Sequence, residues 1–143
     1  MVDTNGKADG TSGRSGRCLC GAVSYRVDGQ LQPVLHCHCQ NCRRTSGSYV
    51  AAARALTQDL NITDPQGQVR WHDLGYARYG FCSQCGSSLF WRAADHGELT
   101  SIMTGTLDDD SELELSGIWF ASQAQPHHVL DQSVDHFEAN GNA

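Results

Sequence analysis

Residues 17–28 read Arg17-Cys18-Leu19-Cys20-Gly21-Ala22-Val23-Ser24-Tyr25-Arg26-Val27-Asp28. Val23, Tyr25 and Val27 alternate with Ser24, Arg26 and Asp28. A period of two puts the apolar side chains on one face of a half-buried strand. Just before that strand stands a C-x-C pair, Cys18 and Cys20. On extended backbone its two side chains share a face. The strand therefore begins at half of a metal or thiol site, and the other half must come from elsewhere in the chain.

The chain holds 7 cysteines. Cys37-His38-Cys39-Gln40-Asn41-Cys42 is a C-x-C-x-x-C, and Cys82-Ser83-Gln84-Cys85-Gly86 is a C-x-x-C-G. Zinc takes four ligands in a tetrahedron and favours thiolate. Both sulfurs of a C-x-x-C turn reach one ion, and a following glycine admits the positive φ that turns backbone N–H groups toward them. Seven thiolates make one four-cysteine site and leave three. Cys37, Cys39 and Cys42 are close enough along the chain to grip one ion by themselves. Cys18, Cys20, Cys82 and Cys85 then combine, closing a loop of about sixty residues, where a clip gains most in principle. Three protein ligands with an open fourth position is the pattern of catalytic zinc. Spacing favours this partition without fixing it. His36 and His38 are alternative fourth ligands, although on an extended backbone they point away from Cys37 and Cys39. Disulfides and buried free thiols compete with metal, and the odd count fits a full disulfide set poorly.

Outward from the cysteines, the pattern is mainly β. Val34 starts a short strand into His36 and Cys37. Gln40 to Gly47 reads as a tight turn or a single helical turn. Ser48 to Ala55 reads as a strand, with helix open because of its alanines. Asn61 to Gly75 reads as a loop with a short strand near Val69–Trp71. Ser88 to Arg92, Leu99 to Thr106 and Leu113 to Ser122 read as strands, with turns at Asp95-His96-Gly97 and Asp108–Ser111. Val134 to Glu138 is expected to be a short terminal helix. The 143 residues fit one domain. A flexible tail is expected over 1–16, the zinc domain over 17–138 and a second tail over 139–143.

The formal charge is −6 and the longest basic run is Arg43-Arg44. That argues against a nucleic-acid or anionic-membrane partner. No apolar stretch approaches the roughly 20 residues of a membrane span, and residues 1–16 lack the apolar core of a signal peptide. A cytoplasmic chain is expected.

The cysteine groups, in this order, resemble the glutathione-dependent formaldehyde-activating enzyme family (GFA), which also takes in centromere protein V. The stretches that carry the resemblance are Arg17–Val23, His36–Gly47 and Phe81–Ser87, with Gly105-Thr106-Leu107-Asp108 beyond them. The resemblance implies an Mss4-like β-tent, antiparallel sheets pinned by a four-cysteine zinc site. It implies structural zinc on Cys18, Cys20, Cys82 and Cys85, and a second, catalytic zinc on Cys37, Cys39 and Cys42. The implied activity is that of a carbon–sulfur lyase acting on thiol adducts of aldehydes such as S-hydroxymethylglutathione. The partner would be a small thiol or thiol adduct, glutathione among the candidates. The terminal segment from Gln125 departs from the family pattern.

Arg43 and Arg44 are candidates to hold a substrate carboxylate. They compete with a reading as packing or surface arginines. Asp108–Asp110 reads as a solvated turn, and His127-His128 as exposed histidines. Trp71, Trp91, Trp119 and Phe120 read as core. His38 is one candidate for a general base. Two other function classes stay open: a non-catalytic binding module stabilised by zinc, and a thiol redox or zinc-handling protein.

Overall fold

The computed structural model describes residues 13–139. The expected tails, 1–16 and 139–143, lie outside the described residues apart from 13–16 and 139. The chain runs β1 (Arg14–Arg17), β2 (Ser24–Val27), β3 (Val34–Cys37), α1 (Gln40–Ser46), β4 (Val50–Leu56), β5 (Leu60–Thr63), β6 (Val69–Asp73), β7 (Ala77–Cys82), β8 (Ser88–Ala93), β9 (Leu99–Met103), β10 (Leu115–Trp119) and β11 (Asp135–His136). The mainly β class read from the sequence is what the molecule has. None of the described helices is long and apolar enough to cross a membrane.

Two sheets form. A small antiparallel sheet has the order β1-β2-β5. A large one has the order β11-β10-β3-β4-β9-β8-β7-β6. Most of its pairings are antiparallel, but β10 lies parallel to both β3 and β11. A parallel pair needs a long connection. Residues 38–114 supply it, carrying α1 and the strands from β4 to β9 before the chain returns to the free edge of β3.

The faces of the large sheet follow from β4. Ala53 and Ala55 point into the main core with Phe90, Ile102 and the alternating Val23, Tyr25 and Val27 of β2. Val50 and Ala52 point the other way, with Tyr79 and Met103. The alanines that left β4 open to helix are therefore what lets both faces pack closely. Trp71 stays with the main core, its ring 6.1 Å from Phe90. Burying these apolar faces is the main stabilising term, at about 25 cal/mol per Å² removed from water.

Three segments differ from the sequence reading. Strand β1 begins at Arg14, so Arg14–Gly16 pair with β2 instead of trailing as tail. Arg14 is only 3% exposed, and its guanidinium donates to the Asp109 and Ser111 carbonyls. These long-range bonds order a segment too polar to order itself. Strand β5 stands in what reads as loop, and β6 is the short strand expected near Val69–Trp71, running on to Asp73, because β2 and β7 offer them edges. The terminal segment is strand β11, not helix. The Phe137 N–H donates to the Ile118 carbonyl at 2.8 Å and the Ala121 N–H to the Phe137 carbonyl at 2.9 Å. A helix this short cannot repay its nucleation, whereas the edge of β10 supplies ready partners.

Gly16 tests the fit between the sheets. It lies opposite Tyr25 in register, and a Cβ there would overlap the Tyr25 phenol and meet the Thr106 carbonyl at 2.5 Å. The same Tyr25 hydroxyl bonds Thr106 Oγ1 at 2.7 Å. Gly16→Ala is expected to destabilise by about 2 kcal/mol through overpacking, read as a lower midpoint in chemical denaturation with unchanged slope.

Candidate metal centres and the adjoining cavity

The first centre joins two tight turns. Cys18 and Cys20 stand before β2, and Cys82 ends β7 with Cys85 in the turn after it. In each turn a left-handed glycine, Gly21 at φ 83° and Gly86 at φ 82°, bends the backbone back. The Gly86 N–H donates to the Cys82 carbonyl at 2.7 Å and the Gly21 N–H to the Cys18 carbonyl at 3.2 Å. The Val23 N–H points at Cys18 Sγ at 3.4 Å. Ser87 bridges the turns: its hydroxyl accepts from the Leu19 N–H at 2.9 Å and lies 3.2 Å from Cys85 Sγ. That hydroxyl, with the backbone donors around it, pulls the Cys85 thiol down to about 5.

The four sulfurs lie within 4.8 Å of one another. Cys18 Sγ is 3.7 Å from Cys20 Sγ, which is 3.9 Å from Cys82 Sγ. A tetrahedral zinc with bonds near 2.3 Å separates its sulfurs by about 3.8 Å. The spacing therefore fits zinc and is far too long for disulfides. All seven cysteines are free thiols.

The second centre is Cys37, Cys39 and Cys42, whose sulfurs also lie within 4.8 Å of one another. Cys37 ends β3. Cys39 is the N-cap of α1, extended at φ −62°, ψ 161°, with its sulfur accepting from the Cys42 N–H at 3.4 Å. Cys42 lies on the buried side of that helix. Three thiols this close cannot all ionise without a cation. Donation from Cys37 and Cys42 holds the Cys39 thiol far below its ordinary range. The contacts with Cys39 and Cys42 push Cys37 above its own. A thiolate among protonated neighbours is a soft donor set ready for a borderline-soft ion.

This second centre opens on a cavity of about 420 Å³. Its floor is the outward face of the large sheet: Leu35 and Cys37 of β3, Val50, Ala52 and Arg54 of β4, Ser101 of β9 and Trp91 of β8. Helix α1 contributes Gln40, Asn41 and Cys42, and the end of β10 contributes Trp119 and Phe120. Phe120 is held in the left-handed region at φ 54°, a strained setting for a bulky residue, with its side chain on the cavity wall. Tyr79 Oη lies 3.2 Å from Cys42 Sγ. Burial raises the Tyr79 phenol above its ordinary value, so this hydroxyl keeps its proton.

The sequence-selected residues divide as follows. The seven cysteines gather in the two groups that spacing favoured. His36 and His38 join neither group. His38 is 1% exposed and stacks on Tyr49, with His128 4.7 Å away. Burial, with His128 beside it, lowers its pKa to about 4. Arg43 donates to the Gln123 carbonyl and Arg44 to Gln40 Oε1, and neither lines the cavity. Asp108 and Asp109 tie their turn to β1. Trp91, Trp119 and Phe120, expected in the core, line the cavity instead. Arg54 and Tyr79 were not singled out in the sequence. The signal for Arg54 was a lone charge in a run of alanines.

Residues 13–123 match the family model described as GFA: Glutathione-dependent formaldehyde-activating enzyme. A crystal structure of a Rhodobacter sphaeroides protein has the same fold, with a TM-score of 0.57 at 24% identity over 71% of this chain and 99% of that chain. No curated protein matches the chain. The family match takes in both cysteine groups, every strand from β1 to β10 and the whole cavity wall. The chain belongs to the glutathione-dependent formaldehyde-activating enzyme family.

Proposed function

We propose that this chain is a zinc-dependent carbon–sulfur lyase acting on thiol adducts of aldehydes, of which S-hydroxymethylglutathione is the type. One observation carries the reading. A three-thiol group opens on a cavity, while a separate four-thiol group is closed by its own ligands. Cys18, Cys20, Cys82 and Cys85 would hold a structural zinc, and Cys37, Cys39 and Cys42 a second one. When bound there, zinc supplies positive charge that stabilises a thiolate and polarises a carbonyl.

Cleavage of a hydroxymethyl thioether breaks the C–S bond. The electron pair leaves on sulfur, the adduct hydroxyl gives up its proton, which passes through solvent to the departing sulfur, and the carbonyl forms, so that one adduct yields one thiol and one aldehyde. The cysteine triad fixes where the sulfur sits, at the end of the cavity. Tyr79 Oη holds a proton at that end, 3.2 Å from Cys42 Sγ, so it can donate to a developing thiolate. Trp91, Trp119 and Phe120 exclude water from the stem of the adduct and so strengthen each polar contact. The free thiols suit a reducing compartment such as the cytosol.

The test uses protein purified anaerobically. Elemental analysis is expected to find two zincs per chain. After exchange for cobalt, added glutathione is expected to change the thiolate-to-metal bands of one of the two ions. One metal per chain, or two whose spectrum ignores thiols, would sink the lyase reading and leave a binding module.

A further inference from the structure

We infer that Arg54 and Trp119 form a carboxylate subsite in the cavity wall, so that the natural ligand is an organic carboxylate on an apolar stem. Only the identity of the sulfur end rests on the lyase reading. Arg54 shares the cavity face of β4 with Val50 and Ala52, and Ser101 of β9 lies directly opposite it. A guanidinium in this setting is costly unless it is paired. Its Nε is buried without a hydrogen-bond partner, and none of the described carboxylates forms an ion pair with it. Its central carbon lies 5.7 Å from the centre of the Trp119 ring. Trp119 Nε1 is also buried and unpartnered. One stacked pair of side chains in the cavity wall therefore carries two donors without partners, where buried polar groups are normally satisfied.

The chemistry that satisfies both is an anionic acceptor with two oxygens. A carboxylate accepts from the guanidinium fork and has lone pairs left for an indole N–H. Burial already lowers the Arg54 pKa, which is the mark of a cation short of a counter-charge. The cross-strand register sets the length of the ligand. Val50 is the register neighbour of Cys37, and Arg54 stands four residues further along β4, or about 13 Å at the rise of a strand. The reach of the arginine side chain shortens that span. Ala52 and Leu35 line the way between, with Trp91 beside Ser101. A short uncharged thiol would fill only the cysteine end. A peptide-sized thiol carboxylate would fill both.

The probe is sulfur-free, so that the result does not depend on metal chemistry. Zinc-loaded protein is titrated calorimetrically with 4-phenylbutanoate and with the matching amide, 4-phenylbutanamide. The acid is expected to bind at least about tenfold more tightly, the scale of one charge-assisted hydrogen bond. Arg54→Met is expected to erase that preference while melting no lower than the parent, since it removes a half-buried charge whose Nε has no hydrogen-bond partner. Arg54→Lys is expected to keep part of it. Equal binding of acid and amide by the parent, or an undiminished preference in Arg54→Met, overturns the subsite. The acid–amide comparison on the parent stands even if the variants fail to fold. A cobalt form that ignores thiols while the acid preference holds would remove the lyase reading alone.

Discussion

Serine at Cys82 is expected to leave the chain with at most one zinc and no cooperative thermal transition. Cys82 is 0% exposed and ends β7, with its sulfur 3.9 Å from that of Cys20, 62 positions earlier. The four-thiol centre is the clip between the start of β2 and the end of β7. Structural zinc in small domains is worth about 10–16 kcal/mol of apparent free energy. The whole stability of a domain is about 5–15 kcal/mol. Losing even a fraction of the first consumes the second. Removing one ligand also strands three thiolates beside each other. Zinc per chain and a circular-dichroism melt check this. A Cys82→Ser protein with two zincs, melting within about 5 °C of the parent, would show that the clip does not hold the fold.

Cys39→Ser is expected to do the opposite: keep the fold and lose the reaction. Serine is a favoured N-cap, so its hydroxyl can take over the bond from the Cys42 N–H and α1 survives. The triad then offers two thiolates, and zinc per chain falls toward one. Stabilising a leaving thiolate with a metal is worth several kcal/mol, so the rate is expected to fall by about a hundredfold or more. Exchange between free formaldehyde and S-hydroxymethylglutathione, followed by NMR at equilibrium, measures it directly against the uncatalysed exchange. Equal rates in parent and variant, with zinc lost from the triad, would mean that this centre does not carry the chemistry.

The two centres differ because their surroundings differ. Around the first, glycine turns and Ser87 surround the sulfurs with donors, and four thiols are enough to complete the coordination of one ion by themselves. Around the second, α1 covers one side and the sheet face the other, leaving the cavity as the open position. On the proposed function, the same ligand type would serve stability in one place and exposure to a substrate in the other.

The two cysteine groups were legible in the sequence because their chemistry is local. Two sulfurs of a C-x-x-C turn are set by neighbouring residues, and a following glycine announces the turn. The β character was legible for the same reason: the alternation of Val23, Tyr25 and Val27 is a property of adjacent positions. The cavity was not. Its wall draws Leu35, Arg54, Trp91, Ser101 and Trp119 from separate strands, and only the registers of β3, β4, β8, β9 and β10 bring them to one face. By residue type Trp91, Trp119 and Phe120 look like core, and Arg54 looks like any surface arginine. The strand at Asp135–His136 was hidden likewise, since its hydrogen bonds come from β10 and not from itself. Side-chain chemistry at short range was written in the sequence. Which faces meet depends on pairing across tens of residues, and tertiary structure alone decided it.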